Sequence, residues 1–124
     1  MKLEPNMYVR TKYGTIRKLV EDLRKDSVYH NMQHFKTDKL NEYRGVPSYI
    51  LYKEDIDKAS HNIIDLIKTG DYVNGCFVLE KDSKFIVVNG LDNYGFGQGV
   101  IPIEDIKSIV TKEQFESMKY SLEG

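Results

Sequence analysis

His30 and His34 lie four residues apart, the spacing that places two imidazoles on one helical face for a metal ion. No further Cys, His or carboxylate follows at ligand spacing, so the pair reads as two polar loop or surface histidines. Cys76 offers a thiol nucleophile, with His61 or another histidine as a candidate base. Its position between Gly75 and Phe77, where an apolar run opens, instead predicts a small buried hydrophobe. Gly95-Phe96-Gly97-Gln98-Gly99 has the glycines of a phosphate loop. It lacks a Gly-Lys-Ser/Thr ending, and Val100-Ile101-Pro102 after it points to a strand where a nucleotide loop opens a helix. Glu54-Asp55 and Glu104-Asp105 hold paired carboxylates, but neighbours on a strand face opposite sides and an isoleucine follows each pair. They read as solvated turn positions. No nucleophile, base and anion hole can be named together, so a non-enzyme without metal or cofactor is expected.

Binding residues are easier to nominate. Residues 1–45 hold ten Lys/Arg against six Asp/Glu, and residues 46–124 hold eight against thirteen. In this polarised chain Arg10, Arg17, Arg24 and Arg44 form either an anion-facing patch or part of an ordinary solvated surface. Tyr94 and Phe96, beside Asn93 and Gln98, form either a contact loop that stacks on a base or enters a partner's pocket, or rings packed onto the fold. Nine tyrosines without a tryptophan favour binding over catalysis, because tyrosine gives rigid amphipathic contact area at low entropic cost.

The elements that must carry these residues are mostly strands. The chain has 124 residues, 40% hydrophobic and 30% charged, which suits one compact domain over 1–124. Large and polar residues alternate over 7–12 before Tyr13-Gly14, giving a strand and a turn. Residues 15–24 stay open between helix and strand, since Ile16, Leu19, Val20 and Leu23 fit a helical stripe. A strand is expected from about Ser48. Ile63, Ile64, Leu66 and Ile67, ended by Gly70, suggest a short helical plug for a barrel end. Residues 76–79 and 85–88 form a hairpin across Lys81-Asp82-Ser83, and a strand resumes at Val100. Thr111-Lys112-Glu113-Gln114 is a capping box opening a C-terminal helix over 111–124.

A weak repeat runs through this pattern. Tyr8-Val9 recurs as Tyr72-Val73, Lys25-Asp26-Ser27 as Lys81-Asp82-Ser83, and Glu54-Asp55-Ile56 as Glu104-Asp105-Ile106, in the same order. Pseudo-repeats over 7–60 and 70–110 follow, each a small meander needing a partner for its apolar face. The expected fold class is mainly β with short helices: an SH3-like or partly open small barrel, with the short C-terminal helix. The lone cysteine, the lack of a leader-like opening and the lack of a long apolar run suggest a soluble protein of a reducing cytoplasm. Exposed strand edges make a homodimer or higher homo-oligomer a natural expectation.

Three segments carry a family resemblance: 7–14 (MYVRTKYG), 61–75 (HNIIDLIKTGDYVNG) and 106–117 (IKSIVTKEQFES). Together they resemble small, mostly uncharacterised proteins of phages and prophages of Gram-positive, clostridia-like bacteria. Residues 26–46, with His30, His34, Phe35 and Arg44, depart from that pattern. The resemblance implies a phage-derived binding protein, similar to those that block bacterial immune systems such as CRISPR–Cas by occupying a defence protein's surface. Two alternatives accompany it: a sponge that sequesters a cyclic nucleotide immune signal, and a replication or virion accessory module.

Overall fold

A four-strand meander whose fifth strand returns beside the first occurs twice in this chain. The computed structural model describes residues 2–23, 33–43, 46–90 and 97–118. The chain divides into two compact units, Met1–Leu66 and Ile67–Gly124. The expected repeats, placed within one domain, fall one in each.

In the first unit, β1 (Tyr8–Thr11), β2 (Ile16–Asp22), β3 (His34–Tyr43) and β4 (Val46–Tyr52) run antiparallel, and a 3-10 turn at Lys53–Asp55 leads into β5 (Ile56–Ser60). The sheet order is β4-β3-β2-β1-β5. The segment left open between helix and strand is β2: with ladders available on both sides, pairing outweighs the helical stripe. A register shift between Leu19 and Glu21 buries Leu19 and leaves Val20 exposed. Leu3, Met7, Val9, Leu19, Phe35, Leu51 and Ile56 form the core, with Ala59 against it.

β3 departs furthest from a regular strand. Lys36 faces Ile50 and Asn41 faces Ser48, so four β3 residues stand against Tyr49 alone. Polar side chains pin this bulge. Asn41 Nδ2 donates to Thr37 Oγ1 at 2.9 Å and to the Ser48 carbonyl at 3.2 Å, and the Asp38 carboxylate accepts the Lys18 N–H at 2.9 Å. The Lys18 bond replaces one that a regular β3 carbonyl would make.

In the second unit, β6 (Tyr72–Val73), β7 (Cys76–Lys81), β8 (Phe85–Asn89) and β9 (Gln98–Pro102) form the meander. A 3-10 turn at Ile103–Asp105 precedes β10 (Ile109–Val110), and α1 (Lys112–Met118) follows. The order β10-β6-β7-β8-β9 is the first unit's order copy for copy. Backbone details repeat too. Asn6 and Gly70 both have positive φ, 73° and 99°, and donate to Leu19 O and Val78 O. The N–H groups of Leu19 and Val78 answer to Met7 O at 2.8 Å and Asp71 O at 2.9 Å. Both acidic pairs lie in the 3-10 turns, as turn positions should. Of the three sequence matches two coincide in the structure, and Lys25-Asp26-Ser27 lies outside the described residues.

Cys76 is buried, as expected for a packing thiol. The capping box also forms: Gln114 N–H donates to Thr111 Oγ1 at 3.2 Å, and Thr111 N–H to Gln114 Oε1 at 3.1 Å. Neither sheet closes into a barrel, so the expected plug is one 3-10 turn, Ile63–Leu66, packed beside β5 and β1. Residues 119–124 of the expected helix lie outside the described residues.

Two substitutions test this framework by urea unfolding. Gly75 has φ +82° with open space around an added Cβ, so Gly75→Ala should cost only backbone strain, about 1 kcal/mol. Asp71 is fully buried, and its carboxylate accepts Lys68 N–H at 2.7 Å and Lys112 N–H at 2.8 Å. Asp71→Ala strands both donors and should cost about 3 kcal/mol; a loss no larger than that of Gly75→Ala would show that other groups satisfy them.

Candidate functional site

The register of the second sheet assigns its two faces. Val78 and Val88 lie opposite each other, as do Ile86 and Ile101, and all four are buried. The positions between them form the other face. There Val110, Tyr72, Phe77, Asn89 and Gln98 stand directly opposite one another, one residue from each strand. Beside this row runs a second, Glu80, Val87 and Val100, brought into line by the shift between Val78 and Glu80.

This face is apolar and open. Phe77 is 38% exposed and Val100 56%. The Tyr72 ring meets Phe77 edge-on at 5.6 Å and lies 4.9 Å from the Phe115 ring of α1, itself 42% exposed. Asn74 and Gly75, both at positive φ, make the two-residue turn that sets Tyr72 against Phe77. Asn89 and Gln98 are exposed and, among the described residues, their side chains have no hydrogen-bond partner. The arrangement combines a platform for flat contact with two amides and, on the second row, the Glu80 carboxylate.

At the equivalent place in the first unit the chemistry differs. Ser60, Tyr8 and Lys18 stand opposite one another. The Lys18 ammonium sits 5.7 Å from the centre of the Tyr8 ring. Phe77 occupies the position of Lys18, so the two copies present different surfaces from one frame.

Of the nominated residues that are described, only Gln98 lies on the open face, at the start of β9. Arg10 leaves the surface set: it is 1% exposed, and its Nη1 donates to the Leu66 carbonyl at 2.9 Å, capping the end of a 3-10 turn. Arg17 is partly buried, with Nη1 donating to Ile16 O at 2.8 Å and Nη2 to Leu40 O at 2.7 Å, which ties β2 to the β3 bulge. Arg24, Arg44, Asn93, Tyr94 and Phe96 lie outside the described residues, as does His30. His34 is on a strand, its ring 5.8 Å from that of Tyr52. Among the described residues no three His, Cys, Asp or Glu side chains are grouped to hold a metal ion, and no helix is long and apolar enough to cross a membrane.

Phe77, Asn89 and Val100 were not nominated, yet a signal for them exists. Residues 77–79 and 85–88 are apolar at every position, where a sheet with one wet face would alternate. Compared with family models, curated proteins and solved structures, the chain matches none.

The structural role of Arg10 is open to a direct check. Arg10→Ala removes a buried guanidinium and leaves the Leu66 carbonyl unanswered, so it should cost about 2–3 kcal/mol in urea unfolding. The exposed Lys58→Ala, next to it on β5, should change stability by under about 0.5 kcal/mol. Equal effects would return Arg10 to the surface.

Proposed function

We propose that this chain is a non-enzymatic, phage- or prophage-derived binding protein that inhibits a bacterial immune system in the host cytoplasm. It acts by laying the outer face of β6–β10 on a defence protein, such as a component of a CRISPR–Cas complex. The observation that carries the binding half is the open row of Tyr72, Phe77, Asn89 and Gln98 with Val100 beside it. Apolar and aromatic groups held in water on a hydrogen-bonded sheet are already in place for a partner, which keeps the ordering cost of binding low. The immune target comes from the family resemblance.

A second reading is favoured by one feature of the same row. A planar base stacked on Phe77 would bring its edge to the amides of Asn89 and Gln98, the pairing of ring and amide that reads single bases on sheets. This is the sponge for a nucleotide signal.

Phage plating on defence-carrying bacteria that express the protein tests both. The wild-type chain should restore plaques, and Phe77→Ser with Val100→Ser should lower that restoration at least about tenfold at equal protein level, the loss of two central contacts. No restoration against any defence system overturns the immune reading. Restoration that survives the double substitution overturns the face. A nucleotide carried through purification, with no retained protein, puts the sponge first.

A further inference from the structure

The two copies of the fold, set side by side, identify what the open face lacks. In the first unit the tyrosine at the centre of the row carries its own cation, Lys18, seated over the ring of Tyr8. In the second unit the same tyrosine position, Tyr72, is flanked by Phe77 and Phe115, so three rings gather where one ring and a lysine gather in the first. Ring faces carry negative potential and attract cations, most strongly where water is excluded.

The surrounding charge points the same way. Ile67–Gly124 holds six Lys/Arg against nine Asp/Glu, while Met1–Leu66 holds twelve against ten. In the two rows of the open face, the one ionised side chain is Glu80. A polyanion finds no cation on these rows, whereas a cationic side chain finds rings, a carboxylate and two amide carbonyls.

Resting on the proposed reading of this face as the partner surface, we infer that Tyr72, Phe77 and Phe115 form a cation-accepting aromatic site. Its occupant is an arginine or lysine projecting from a basic protein surface, the kind of surface with which a nucleic-acid-binding protein holds phosphates. Arginine suits it best, because a guanidinium stacks flat on a ring and still donates to Glu80 or to the carbonyls of Asn89 and Gln98. The site thus supplies, in a neutral-to-acidic sheet, the partner's substitute for a nucleic acid.

The test uses a labelled hexa-arginine peptide and its neutral isostere, a hexa-citrulline peptide, titrated into the full chain and followed by nuclear magnetic resonance. The arginine peptide should bind at least about twofold more tightly than the citrulline peptide, the difference one exposed cation–ring contact gives, and should shift the ring signals of Tyr72, Phe77 and Phe115. Phe77→Lys, which installs the first unit's residue, should abolish those shifts, and Phe77→Tyr should keep them. Unchanged amide signals for the buried positions Val78 and Val88 show that each variant is folded.

Equal binding of the two peptides, or arginine-induced shifts that bypass the three rings, overturns the cation site. So does a concentration-dependent dimer that covers Phe77, or a nucleoside that saturates the rings in preference to the arginine peptide. Failure of the wider reading looks different: the arginine peptide binds at the rings, yet phage plating is unaffected.

Discussion

The return of the fifth strand to the side of the first is the constraint on which the rest of this structure depends. A four-strand meander alone leaves its first strand as an open edge with a row of unpaired backbone groups. The 3-10 turns at Lys53–Asp55 and Ile103–Asp105 reverse the chain so that β5 and β10 cover β1 and β6. In the first unit the Lys12 N–H holds the Asp55 carbonyl at 3.0 Å. In the second the Asn74 side chain does more: Nδ2 donates to Asp105 O, and Oδ1 accepts from Lys107 and Ser108 N–H. The residue that shapes the tight turn into β7 therefore also anchors the returning strand.

Divergence between the copies follows from how each fills the same frame. The second unit reduces its first hairpin to two residues and adds a capped helix, whose Phe115 reaches the sheet face. Asp71, fully buried, links the two by accepting from the first residue of that helix. The first unit lengthens its first two connections and carries a wide bulge in β3, from which Asp38 and Asn41 answer backbone groups of β2 and β4 while Arg17 answers the Leu40 carbonyl. Polar residues there are committed to structure. In the second unit Asp71 and Asn74 take that part, and Asn89 and Gln98 on the open face have no hydrogen-bond partner among the described residues.

A binding surface built on a sheet has a physical advantage over one built on a loop. In the proposed surface, strand pairing fixes the backbone of each residue before a partner arrives, and cross-strand packing fixes Tyr72 between Phe77 and Phe115. Little conformational freedom remains to be lost on association.

The residues themselves determined the β class, the repeat, the capping box at Thr111 and Gln114, the burial of Cys76 and the turn character of both acidic pairs, because each rests on local chemistry or short-range periodicity. Tertiary structure decided what depends on pairing across the sheet. Residues 16–22 became a strand because ladders on both sides outcompeted a helical stripe. Arg10 went inside because a turn 56 residues later presents an unanswered carbonyl to it, and Arg17 was taken up by the β3 bulge. The open face was half legible in the unbroken apolar runs of β7 and β8. Which of their residues face outward is fixed only by register, and one inserted residue near Leu79 decides it.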